Sequence, residues 1–314
     1  FLIAVGLTIL GALVIMFIRD GIEVVEETDE SGKTTSKIIK KPVEQHGSGL
    51  QAVKGAAVSM GKKIGGAVKE NYFWIFIGIL TITLFVRFVF FHLHYTFPKY
   101  GIRVLGEGAK IGSIYGVLNP VLIIYLTPLV AAFTRKTKSY KMLVIGSLVS
   151  AASCFIAVLP GTMFSFLNDS VLSEIIFIKW LGIAKDMNGL QEFFAANPLS
   201  MQYWSLIFFF IIFTIGESIW SPRLMQFTAE IAPKGKEGTY ISLSVLPFFF
   251  AKFFVAPLSG WLVSSYVPLD EAGKIASSYP NHHMVWVIIG GMALITPIGL
   301  LVLRPFFKKH IKEA

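Results

Sequence analysis

Tyr203-Trp-Ser-Leu-Ile-Phe-Phe-Phe-Ile-Ile-Phe-Thr-Ile-Gly-Glu-Ser-Ile-Trp-Ser-Pro-Arg223 is the stretch on which the fold turns. Its twenty-one residues hold a single charge, Glu217, before the closing Arg223. At 1.5 Å per residue a helix of this length crosses the ~30 Å hydrocarbon core of a bilayer. The pattern continues as helix to Ile231. Six further runs have the same character: Phe1 to Ile18, Tyr72 to Phe97, Ser113 to Thr134, Met142 to Met163, Gly238 to Tyr266 and His283 to Leu303. Together they predict an all-α membrane protein with seven spans.

Composition agrees with that reading. The 314 residues are 54% hydrophobic and 15% charged, whereas a soluble domain carries nearer a quarter charged. A soluble enzyme is therefore not expected. The net charge of +9 does not point to nucleic acid, because Lys and Arg fall in clusters between the apolar runs and not along one polar face. Alternate loops divide them unequally: 20 of the 28 lie on one side, six on the other, and Arg87 and Lys252 lie within spans. By the positive-inside rule, the segment 19–71 and the C-terminal tail, residues 305–314, are cytoplasmic. The chain opens on Phe1 within an apolar run and lacks a signal peptide's basic flank, so it is expected to be a fragment beginning in or just before a membrane helix.

Within 19–71, Asp20 to His46 mixes Glu, Asp, Lys, Ser and Thr and is expected to be mobile. From Gly47 to Lys69, Val53, Ala57, Met60, Ile64 and Val68 recur at helical spacing among lysines, as in an amphipathic surface helix; five glycines leave a plain linker as the alternative. Leu172 to Ile183 is too short and interrupted to span and predicts an external surface helix. The one cysteine, Cys154, sits in an apolar run and reads as packing.

Polar groups at membrane depth carry the functional reading, since they face bundle interiors or watery cavities. Glu217 is placed to bind a substrate ammonium or exchange a proton; a structural ion pair is the alternative. Lys252 lies mid-span, in a position to pair with Glu217 or attract a substrate carboxylate. Arg87 and His94 are seven residues apart and share a helix face, with His92 nearby, and a histidine can relay protons near neutrality. Asn119-Pro120, Thr127-Pro128, Ser221-Pro222, Pro247 and Pro257 interrupt helical hydrogen bonding, and in the third run Gly116 and Ile124 have their carbonyls freed. No P-loop, HExxH or Gly-x-Ser-x-Gly occurs, and the dispersed histidines suggest no metal site. No catalytic residue and no cofactor is expected.

Tyr115-Gly-Val-Leu-Asn-Pro-Val-Leu-Ile-Ile-Tyr-Leu-Thr-Pro-Leu-Val-Ala-Ala132 resembles the eighth helix of the proton-dependent oligopeptide transporters, a branch of the major facilitator superfamily. Gly216-Glu217, Ser221-Pro222, Ala232-Pro233 and Gly238-Thr-Tyr resemble its tenth and eleventh helices, and Thr134-Arg-Lys-Thr-Lys-Ser-Tyr-Lys141 occupies the place of the superfamily's basic loop. The resemblance covers Phe97 to Leu303. It implies helices six to twelve of a twelve-helix fold: residues 1–18 as helix six, 19–71 as the cytoplasmic linker, and 72–304 as a C-terminal six-helix half. It also implies proton-coupled symport of di- or tripeptides or similar zwitterions, the proton being the coupling ion. Glu217 would receive the substrate amine and Asn119 a polar contact, while Lys252 or Arg87 balances charge or gates. The chain departs from the family in two places: Tyr72 to Lys99 has no acid, and Ser242 and Ser244 stand where a Trp is common. A divergent transporter of another organic solute is one alternative. A seven-helix receptor is another, disfavoured by the fifty-residue loop and the lack of a second cysteine, and a structural subunit without transport is a third.

Overall fold

A computed structural model describes residues 22–28, 34–40, 71–233, 237–276 and 278–310, with isolated positions between 54 and 68. The predicted span at Phe1 to Ile18 lies outside the described residues. The chain divides into two units, Phe1–Gly65 and Gly66–Ala314.

In the first unit, β1 (Ile22–Thr28) pairs antiparallel with β2 (Thr34–Lys40), in register from Ile22 opposite Lys40 to Thr28 opposite Thr34. This hairpin stands within the polar stretch Asp20 to His46. The β-branched residues Ile22, Val24, Val25, Thr28, Thr34, Thr35, Ile38 and Ile39 favour extended backbone there. In the basic segment that follows, the described Lys54, Gly55, Val58, Gly61, Gly65 and Gly66 are helical and Val68 lies in a turn.

The second unit is helical; among the described residues six helices are long and apolar enough to cross a membrane, matching the six apolar runs after residue 71, and a bent helix pair could make a seventh. α1 (Asn71–Tyr95) is followed by the short amphipathic α2 (Phe97–Leu105), begun by Pro98 in its first turn. α2 occupies what the sequence reads as a loop, and it buries Phe97, Tyr100 and Val104. α3 runs over Ile111–Thr134 and contains a π-helical turn at Ile114–Leu118. That turn ends two residues before Pro120, which lacks the N–H that would bond Gly116, and the ladder resumes as α-helix from Asn119. α4 (Ser139–Val158) leads to a bent pair, Gly161–Leu167 and Val171–Trp180, set at 109°. The predicted surface helix lies in this pair's second, largely π-helical arm, and its Phe177 is buried against Phe194, Tyr203 and Trp204.

After α5 (Met187–Ala196), the 30-residue α6 (Gln202–Ile231) extends about 45 Å without interruption at Pro222. α7 (Glu237–Ser244) and α8 (Leu246–Tyr266) form one span broken at Val245, with Pro247 opening the second part. α9 (Met284–Ala293) and α10 (Ile295–His310) form the last span, broken at Leu294.

α6 is the axis of this unit and lies directly on α4. A Cβ added to Gly146 would stand 2.6 Å from the Trp220 nitrogen, and one on Gly216 would stand 2.4 Å from Ser150 Oγ. Gly146, Ser150 and Cys154 recur every fourth residue on α4, a small-residue face that lets two backbones meet. Gly290 of α9 packs on Cys154 in the same way, since a Cβ added to it would stand 2.8 Å from that of Cys154; the cysteine is packing, as expected. Beyond the spans, Tyr100 Oη shares a 2.8 Å hydrogen bond with His282 Nδ1, and its ring meets Trp286 edge-on. Burial pushes the Tyr100 phenol up, which keeps it neutral.

Candidate functional site

Glu217 lies near the midpoint of α6 and is 7% exposed. Asn119 Nδ2 donates to Glu217 Oε2 at 3.1 Å and to Thr214 Oγ1 at 2.9 Å, and Thr214 in turn donates to the Phe210 carbonyl. The π-turn ends where Asn119 begins, so the widened backbone of α3 and its amide stand together opposite the carboxylate.

The pair borders a cavity of about 430 Å³ between α3 and α6. Asn119, Ile123 and Thr127 line it from α3, Glu217 and Ser221 from α6, and Phe90 from α1. Successive positions three or four apart place each trio or pair on one helix face. A mostly apolar, open concavity with one carboxylate, one amide and two hydroxyls is suited to a small solute with a positive or hydrogen-bond-donating group.

Arg87 approaches from α1. Its guanidinium lies over the Phe248 ring at 4.1 Å and the Trp220 ring at 5.0 Å, and Trp220 is held to α4 by a 3.0 Å bond from Nε1 to Ser150 Oγ. Two aromatic faces thus hold the cation, and it feels the charge of Glu217 without an ion pair within 4 Å among the described residues. One residue earlier, Thr296 Oγ1 inserts into the ladder of α1, donating to the Ile82 carbonyl and accepting from Val86 N–H at 2.9 Å. The hydroxyl of α10 therefore sets the backbone from which Arg87 projects.

The other predicted residues lie elsewhere. Lys252 is exposed on α8, its Nζ 5.7 Å from the centre of the Phe91 ring, and it makes no ion pair with Glu217 among the described residues. His92 is fully buried, with Nδ1 2.6 Å from Thr96 Oγ1, which donates to Ser259 Oγ of α8. His94 is exposed, its ring against Phe90 and Tyr115. Thus Glu217, Asn119 and Arg87 form one neighbourhood; His92 belongs to a separate polar contact between α1 and α8; His94 stands near the α1–α3 seam.

Sequence reasoning does not single out Thr214, and it names Thr127 and Ser221 only for the prolines that follow them, although their spacing from Glu217 and Asn119 along each helix is visible. Nor does it find the chain that closes the α3–α6 seam near the basic loop. There Arg223 donates to Gln226 Oε1 at 2.6 Å and to Thr134 Oγ1 at 2.8 Å, and Glu230 accepts from Gln226 and from Ser139 at the start of α4.

Comparison with protein-family models, curated proteins and solved structures finds no match.

Proposed function

We propose that the protein is a secondary transporter that carries a small zwitterionic solute, such as a di- or tripeptide, together with protons. The reading rests on one observation above all: a carboxylate near the midpoint of an apolar 30-residue helix borders a cavity of about 430 Å³ and is met there by an amide from a π-widened helix. A buried acid in such a setting either binds a cation or exchanges a proton, and both are required for proton-coupled uptake of an ammonium-bearing substrate. Asn119 orients the carboxylate, and Arg87, caged between aromatic rings, supplies the compensating field. His92 and His94 are candidate proton carriers at the far end of α1.

In this proposal the fold is that of the major facilitator superfamily, with the described spans as helices seven to twelve and the basic loops facing the cytoplasm. Broken helices around a midplane polar site suit rocking between inward- and outward-open states. The Arg223–Gln226–Glu230 chain lies at the cytoplasmic mouth and acts as a latch between α3, α4 and α6. The test is uptake of labelled dialanine into proteoliposomes under an inward proton gradient. Glu217→Gln is expected to lower the initial rate more than tenfold with the protein still folded. Undiminished uptake in that variant removes Glu217 from the mechanism, and gradient-independent uptake by the wild type removes proton coupling.

A further inference from the structure

A second concave site lies away from the Glu217 cavity, where the start of α4 meets the end of α10. It is a groove of about 390 Å³ whose walls are Lys138, Lys141, Val144 and Ile145 on one side and Leu301 and Arg304 on the other. Tyr140 forms its floor: the side chain is 3% exposed, and its hydroxyl donates to the Leu300 carbonyl, tying the two helices together.

The lining is graded. α4 begins at Ser139, so Lys138 and Lys141 stand at its outer end and Ile145 about 6 Å deeper than Lys141. α10 runs in the opposite sense relative to that surface, and its apolar span ends at Phe306, so Arg304 stands within the last turn of the span and Leu301 about one turn deeper. Both helices therefore place cations at the membrane edge and apolar side chains below them. One turn deeper on the same helix faces lie exposed Leu148 on α4 and exposed Ile298 on α10. No carboxylate lines the groove among the described residues. The acid bonded to Ser139, Glu230, is also bonded to Gln226 of α6.

We propose that this groove binds an anionic phospholipid of the leaflet facing the basic loops, with the phosphate among Lys138, Lys141 and Arg304 and an acyl chain along Val144, Ile145 and Leu301. The proposal needs α4 and α10 to be membrane spans but does not depend on the transport reading. Three cations clustered at a helix end provide charge complementarity to an anionic headgroup. The apolar lower wall selects a lipid over a free anion, which would have no use for it.

The purified protein in detergent is titrated with phosphatidylglycerol and with phosphatidylcholine of matched chains, and bound lipid is counted by native mass spectrometry. The wild type is expected to retain phosphatidylglycerol at least fivefold over phosphatidylcholine. Lys138→Gln/Lys141→Gln/Arg304→Gln should bring that ratio to near one, whereas Lys99→Gln/Lys110→Gln/Lys274→Gln, with the same change in charge, should leave it intact. Ile145→Asn/Leu301→Asn, which keeps all three cations, should also lose lipid. No preference in the wild type, or an unchanged preference in the site variant, overturns the proposal. So does full retention by Ile145→Asn/Leu301→Asn, or displacement of the lipid by equimolar inorganic phosphate, either of which marks an anion site. Should the triple variant fail to fold, Ile145→Asn/Leu301→Asn decides alone.

Discussion

α6 has two unlike neighbours. Against α4 it is sealed: Gly146 and Gly216 bring the backbones together, Ser150 and Trp220 are buried, and 56% of the most apolar stretch of α4 is buried. Against α3 it is open: the corresponding share of α3 is 0%, the contact is a polar one through Asn119, and a cavity remains beside it. One helix thus serves as a rigid mount on one face and as the wall of a cavity on the other. Glycine at 216 fixes the mount one residue before the carboxylate at 217, so the position of Glu217 is set by packing on the opposite side of the chamber. A polar group held by a packed element keeps its geometry better than one carried on a loop.

The contrast predicts different failures on the two faces. Gly216→Val should do the most damage, because even the first carbon of the new side chain meets Ser150 at 2.4 Å. Overpacking of this kind costs on the order of 3 kcal/mol, seen as a large drop in melting temperature in detergent or loss of folded protein. A variant that melts like the wild type would show that the α4 face is not sealed. Glu217→Gln should do the reverse, abolishing most gradient-driven uptake while moving the melting temperature by only a few degrees. If it melts as early as Gly216→Val, the α3 face is structural and the distinction fails. Asn119→Ala removes both bonds to α6 and is expected to lower uptake about three- to tenfold at a stability cost of about 1 kcal/mol. An intact uptake rate would leave Glu217 oriented by something other than the amide.

The smallest effect lies outside both faces, where Tyr100 of α2 meets His282 just before α9. Burial, and secondarily the neighbouring His283, hold the His282 imidazole below its ordinary value of 6.5. Below that value the unfolded chain binds the more protons, so this contribution is complete above about pH 6.5 and is lost as the pH falls from there through the lower value of the folded imidazole. Melting temperatures of the wild type should decline from pH 8 to pH 5 more steeply than those of His282→Asn. Parallel curves would mean that the Tyr100–His282 contact carries no pH dependence.

The spans are legible in the sequence because a lipid-crossing helix needs length and apolarity, both properties of a single segment. Glu217, Asn119, Arg87 and the prolines are legible as exceptions to that apolarity. Partners are not. Glu217 can be paired on paper with Lys252 as readily as with Asn119, yet Lys252 turns outward and lies over Phe91. The hairpin at Ile22–Lys40 is also hidden, since its polar residues obscure the β-branched ones.

The sequence alone determined that the chain carries helices fit for a bilayer and which of their residues are too polar for lipid. Only the tertiary structure decided that α3 faces Glu217 across a cavity, that Arg87 is clasped by Trp220 and Phe248, and that α4 is seamed to α6. The physical reason is that α1, α3, α4, α6 and α8 are apolar around their whole circumference, leaving almost no hydrophobic asymmetry to mark an inner face. In such helices the inner face is chosen by the fit of small residues, the reach of hydrogen bonds and the shape of neighbouring side chains, and those exist only once the helices have met.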